Sequence, residues 1–289
     1  MNQKNHSSDF LFDKLFSRYS PVTQIEKQNA MHEIMQEITL AGLCKSGFFD
    51  RAAFYGGTCL RIFYGLQRFS EDMDFSLLQA DENFTLENYF ESIIAEFKAL
   101  GKAVVITKKA KTTQTNIESA FLKENTEIYN LQFTTEKQIK IKIEVDTQPP
   151  SDFTTEYKLL LLPFSFMTRC YSLSDLYAGK MHAFLFRNWQ KRVKGRDWYD
   201  FEWYVRNNIA LSFNHLQKRT EQINTLTEKE FTLEIFKQML KERIEKTNIE
   251  SVKNDVRPFL KNPQEMEIWS TDYFLQLAEM INIKKISAN

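Results

Sequence analysis

An α+β fold is what this sequence predicts, and three observations predict it. Short runs at 52–55, 73–77, 103–107, 128–134 and 137–145 alternate apolar with polar residues or are rich in β-branched side chains. Between and after them, apolar residues recur at helical spacing. Only 8 Gly and 6 Pro occur in 289 residues, so long loops are few and helix is plentiful. Apolar residues make up 43% of the chain, enough to build a core and to exclude a disordered protein.

Taken in order, residues 1–20 are polar and then aromatic, which suggests a loosely docked arm or short helix. Ile25, Met31, Ile34, Ile38 and Leu43 mark an amphipathic helix over 23–43. The apolar run 52–55 reads as a strand leading into Gly56-Gly57, and 58–64 as a helix starting beside those glycines. Met73, Phe75 and Leu77 alternate with Asp72, Asp74 and Ser76, giving a half-buried strand with its carboxylates on the other face. Residues 85–100 read as a helix through Leu86, Tyr89, Phe90, Ile93, Ile94 and Phe97. In the run ending at Asp146, Ile139, Ile141, Ile143 and Val145 oppose Lys140, Lys142, Glu144 and Asp146.

Thr147-Gln148-Pro149-Pro150-Ser151 is the clearest punctuation, so the expected domains are 1–148 and 149–289. Beyond it the chain reads as helical. Ser172 with Asp175 fits a capping box for a helix to about Arg187, and another is expected from Arg196 to Val205.

The balance of 38 basic and 38 acidic residues gives no global signal for nucleic acid. Three widely spaced cysteines argue against a disulfide framework, and four histidines without ligand spacing argue against zinc. No apolar run reaches transmembrane length, so a cytoplasmic protein without membrane partners is expected.

Chemistry concentrates in three groups. Gly56-Gly57-Thr58 can bring backbone N–H groups to an anion, helped by the helix N-terminus that follows. Asp72 and Asp74 project to one face of their strand, a pattern suited to a hard cation such as Mg²⁺ or Mn²⁺. Together they form the minimum equipment for moving a nucleotidyl or phosphoryl group. Glu144 and Asp146 share a face and either can supply a third carboxylate, as metal ligand or base; spacing does not decide between them. Lys180, Arg187, Arg196, Asp197 and Asp200 form the third group. They read either as an interhelical salt-bridge network or as a lysine that neutralises triphosphate charge, held by an aspartate helix. His182 reads as a packed helix residue. Basic clusters at 108–111 and 191–196, the second flanked by Trp189 and Trp198, can be solvated loops or a guide for an RNA end.

The ordered set Gly56-Gly57-Thr58, Arg61, Arg68-Phe69-Ser70-Glu71-Asp72-Met73-Asp74, Lys142-Ile143-Glu144, Lys180-Met181-His182-Ala183 and Arg196-Asp197-Trp198-Tyr199-Asp200 resembles the AbiEii/AbiGii toxin family of nucleotidyltransferase-like proteins. The resemblance runs over 23–204; the last eighty or so residues match no motif. It implies a polymerase-β-like core with a mixed sheet, then a helical C-terminal region that completes the cleft. It implies NTP as substrate and Mg²⁺ held by Asp72 and Asp74. Gly56, Gly57, Thr58, Arg61, Arg68, Ser70 and Lys180 would bind nucleotide, and Lys180 and Asp197 match the family's functional pair. Thr58 stands where many nucleotidyltransferases carry serine. The acceptor implied is a hydroxyl, with a tRNA 3′ end, a protein and a small molecule all open, and so is a nucleotide-binding module without turnover. A cognate antitoxin encoded nearby is implied, and its direct binding is not required.

Overall fold

The computed structural model describes residues 11–109, 126–134, 139–187, 193–223, 226–227 and 229–284. Mixed β-structure and helices coexist as an α+β fold, in two compact units. One unit takes the chain through Cys59, then Glu71–Pro149 and Thr155–Cys170; the other takes Leu60–Ser70, Pro150–Thr154 and Tyr171 onward. Thus the 147–151 punctuation is one crossing among several, and a single cut after residue 148 does not describe the division.

The first unit is built on a sheet of seven strands among the described residues. They are β1 (Ala52–Tyr55), β2 (Met73–Leu77), β3 (Val104–Lys108), β4 (Thr126–Phe133), β5 (Lys140–Asp146), β6 (Thr155–Leu160) and β7 (Phe166–Tyr171). Their order is β3-β4-β5-β2-β1-β7-β6. β1 runs antiparallel to β2, while β2 and β5, and β1 and β7, run parallel, so the sheet is mixed. β6 and β7 correct the expectation that everything after residue 151 is helical. In β6 the apolar Tyr157 and Leu159 are the exposed positions (52% and 57%), an inverted pattern for a strand at the sheet edge.

Short helix α1 (residues 11–17) precedes α2 (Gln24–Lys45). Thr23 caps α2 through a capping box with Glu26, in which each side chain takes the other residue's backbone N–H. Ile34, Ile38 and Leu43 are buried as expected, but Ile25 is exposed; Met35, Leu40 and Ala41 complete the buried face instead. Gly42 lets α2 approach α4 (Phe90–Ala99), since a Cβ there would lie 2.6 Å from Ile93 Cα. The expected 85–100 helix is split, with a 3₁₀ turn over Leu86–Tyr89 leading into α4. Phe75 anchors the core beneath β2, stacking on Phe54 at 5.0 Å and meeting Phe48 edge-on at 5.1 Å.

The second unit is helical: α5 (Leu173–Phe186), α6 (Gly195–Arg206), α7 (Phe213–Gln222), α8 (Leu233–Glu245), α9 (Ile249–Val256) and α10 (Thr271–Glu279). Tyr177 of α5 stacks on Tyr204 of α6 at 4.2 Å, and Trp198 lies between Phe184 and Phe274. Gly195 opens α6 where a Cβ would collide with Val252 O of α9. The Ser172 capping box does not form. Its hydroxyl donates to Asp175 at 2.9 Å, and Asp175 accepts from Thr154 N and Oγ1, tying 150–154 to the helix start. No helix among the described residues is long and apolar enough to cross a membrane.

Candidate functional site

The Gly-Gly turn and the acidic strand meet within the first unit. β1 ends at Tyr55, and α3 (Gly56–Tyr64) begins at once. Only glycine suits this junction. Gly56 has φ +79, in the left-handed region, and a Cβ there would collide with the Asp74 carboxylate. The start of α3 is therefore pressed against Asp74. Thr58 is fully buried, and its hydroxyl donates to the backbone carbonyl of Asp72. Expected to touch phosphate, this hydroxyl instead fastens the helix start to the chain entering β2.

Register resolves what spacing left open. Tyr55 of β1 lies opposite Asp74, Asp74 lies beside Glu144 of β5, and Asp146 falls next to Ser76. Glu144, rather than Asp146, is the carboxylate alongside Asp74. Asp146 accepts the Gln148 N–H at 3.0 Å and so helps shape the turn after β5. Lys142, two residues before Glu144 on the same face, places its Nζ 2.6 Å from Glu144 Oε1 and 4.0 Å from Asp72 Oδ2. The sequence alternation puts Lys142 on this face, but assigns it no task.

Loss of solvent pushes the Asp74 carboxyl up to about 8, and the neighbouring charges of Glu144 and Asp72, with a hydrogen bond to Glu144, push the same way. Lys142 pulls against them. On α2, Gln36 donates to Glu71 O at 3.1 Å, and His32 feels the charges of Glu71 and Asp72, although burial holds its imidazole below the usual range. Among the described residues, no three His, Cys, Asp or Glu side chains close up as a finished metal cage. The chemistry of the donor set nevertheless suits a divalent cation. Asp72, Asp74 and Glu144 are oxygen donors whose mutual repulsion an added positive charge would relieve.

The second unit holds the other candidates, and here the salt-bridge network is present. Lys180 Nζ of α5 lies 2.7 Å from Asp197 Oδ1 and 2.8 Å from Asp200 Oδ2, both on α6. Arg187 reaches Asp197 at 2.7 Å. Arg68 forks onto Asp200, its Nε and Nη2 at 2.5 and 2.6 Å. Burial alone would raise both aspartates; Lys180 with Arg187 holds Asp197 below the usual carboxylate range, and Arg68 with Lys180 does so for Asp200. Arg68, expected to bind nucleotide, is 2% exposed and committed to Asp200 and Phe69 O. Arg61 donates to Leu66 O and Gln67 O and covers the Phe69 ring, and Ser70 is buried, so these two residues belong to the folded 65–70 turn.

His182 is buried and packs on Phe186. Trp198 is wholly buried against Phe184 and Phe274, which takes it out of the RNA-guide alternative. Ala110, Lys111, Trp189, Lys191 and Arg192 lie outside the described residues; Lys108 pairs with Glu127 at 2.6 Å, and Arg196 covers Phe259.

No curated protein matches this sequence. JHP933 from Helicobacter pylori has a similar solved structure, with TM-score 0.50 and 18% identity over 88% of this chain and 90% of that one. A second H. pylori structure, described as a candidate nucleotidyltransferase, gives 0.49 and 17% over 90% and 94%. At such identity the JHP933 likeness speaks for the fold alone. The model of the nucleotidyl transferase AbiEii toxin family, of type IV toxin–antitoxin systems, matches residues 38–280. With the Gly-Gly turn, the acidic strand and the α5–α6 motifs all inside that span, the chain belongs to the AbiEii nucleotidyltransferase family.

Proposed function

We propose that the protein transfers a nucleotidyl group from an NTP to an acceptor hydroxyl, with Mg²⁺ at Asp72 and Asp74. One observation carries this reading: the N-terminal turn of α3 abuts Asp74, which is in register with Glu144. Backbone N–H groups at Gly56, Gly57 and Thr58 receive the triphosphate. Asp72 and Asp74 are the metal ligands and Glu144 is the third carboxylate, taking the proton of the attacking hydroxyl. The acceptor oxygen bonds to the α-phosphorus, the bond to the β-phosphate oxygen breaks, and pyrophosphate leaves. A divalent cation held by Asp72 and Asp74 would supply positive charge against the phosphates. Lys180, held by Asp197, serves triphosphate charge in this reading, while Arg61, Arg68 and Ser70 support the turn that precedes Asp72.

The first acceptor to test is a tRNA 3′ end. Purified protein is incubated with pooled tRNA, each NTP and Mg²⁺, and the RNA is analysed by mass spectrometry. A mass gain of one nucleotidyl unit, absent with Asp74→Asn, supports the reading; modification undiminished in folded Asp74→Asn overturns it. In cells, induction without the cognate antitoxin is expected to halt growth, and Asp74→Asn at equal expression to restore it.

A further inference from the structure

The carboxylate site already contains a cation of its own. Lys142 Nζ stands 2.6 Å from Glu144 and 4.0 Å from Asp72, and its side chain remains 34% exposed. Its positive charge also acts on Asp74, so one ammonium serves all three acids. Its stem rises from β5 between the buried Ile141 and Ile143, which fixes the backbone while leaving the flexible end free to move. A lysine head is a single, strongly hydrated point charge on four rotatable carbons, able to leave one ion pair without disturbing the strand.

We propose that Lys142 is a resident counter-ion that holds the acidic site in a cation-free form and swings aside when a divalent cation binds. This rests on the reading of Asp72 and Asp74 as metal ligands, with Glu144 as the third carboxylate beside them. The lysine offsets the mutual repulsion of the three acids, so the site persists between encounters with metal. The lysine and the metal then compete for the same oxygens, and Lys142 sets how much free metal is needed to load the enzyme.

Mn²⁺ serves as the probe in two measurements on the full chain. Calorimetric titration compares wild type with Lys142→Met, Lys142→Arg and Asp74→Asn. Lys142→Met is expected to bind Mn²⁺ about three- to tenfold more tightly, Lys142→Arg to stay near wild type, and Asp74→Asn to lose binding. Amine acetylation of wild type, read by peptide mass spectrometry, is expected to increase at Lys142 when Mn²⁺ is added. This second measurement needs no substitution, so a poorly folding variant does not shield the proposal. Unchanged or weaker Mn²⁺ binding by Lys142→Met, or acetylation at Lys142 indifferent to Mn²⁺, overturns the counter-ion role. If Asp74→Asn still loses Mn²⁺ in that case, the carboxylate site itself stands. Equal Mn²⁺ binding by Asp74→Asn and wild type removes the site and the counter-ion together.

Discussion

Asp74→Asn should remove activity and yet stabilise the metal-free protein at alkaline pH. The Asp74 carboxyl is pushed from the ordinary 3.8 to about 8 by burial and by Glu144 and Asp72. A carboxyl raised in the folded state binds its proton more tightly there than in the unfolded chain. Its contribution is therefore fully present below about pH 4 and is lost as pH rises through about 8. At roughly 1.4 kcal/mol per pH unit, the displacement from 3.8 to about 8 corresponds to a ceiling on the order of 6 kcal/mol. Asparagine keeps a hydrogen-bond donor toward Glu144 but has no proton to lose. In thermal melts with chelator present, Asp74→Asn should match wild type near pH 5 and exceed it by roughly 5–10 °C near pH 9. A difference between the two proteins that stays flat from pH 5 to 9 would refute the raised Asp74 carboxyl.

Gly56→Ala should lower the melting temperature through a cost of about 1–3 kcal/mol, since alanine meets both the positive φ and the Asp74 carboxylate; nucleotidyl transfer should fall further than stability explains, as initial rates on the folded fraction will show. Lys180→Ala should destabilise by about 3 kcal/mol, because Asp197 and Asp200 lose their shared cation while still buried; a melt unchanged from wild type would mean the network is not needed for folding. Arg68→Met should cost about 3–5 kcal/mol by leaving Asp200 without its fork, and adding Asp200→Asn should recover part of that, a coupling read from a double-mutant cycle of melts.

Much of the site was legible because its signals are local. A four-residue strand, two glycines and a helix follow one another without a loop, and the alternation through Asp72, Asp74 and Ser76 marks the face. The Pro149-Pro150 punctuation is likewise read from neighbouring residues, although it marks one crossing between the two units among several. The pairing of β2 with β5 is different in kind. It joins segments about seventy residues apart, so nothing near Glu144 or Asp146 in the sequence says which one reaches Asp74. Strand β6 escaped because its apolar Tyr157 and Leu159 face outward at a sheet edge, against the usual pattern. Arg68 was given to nucleotide by the resemblance alone, while its partner Asp200 lies on a helix far along the chain.

Thr58 shows how a motif residue can be legible in place and misread in task. The resemblance gives Thr58 to the nucleotide, while its hydroxyl is buried and given to the Asp72 carbonyl. This ties the Gly-Gly turn to the acidic strand through one side chain, which serine could also do and valine could not. The two halves of the proposed chemistry, the N–H groups of α3 and the carboxylates of β2, are thereby held in fixed relation before any substrate binds. Such preorganisation lets binding energy act on the transition state rather than on assembling the site. On this argument the loss of the Thr58 hydroxyl is felt first in the position of Asp72, and only through it at the phosphate.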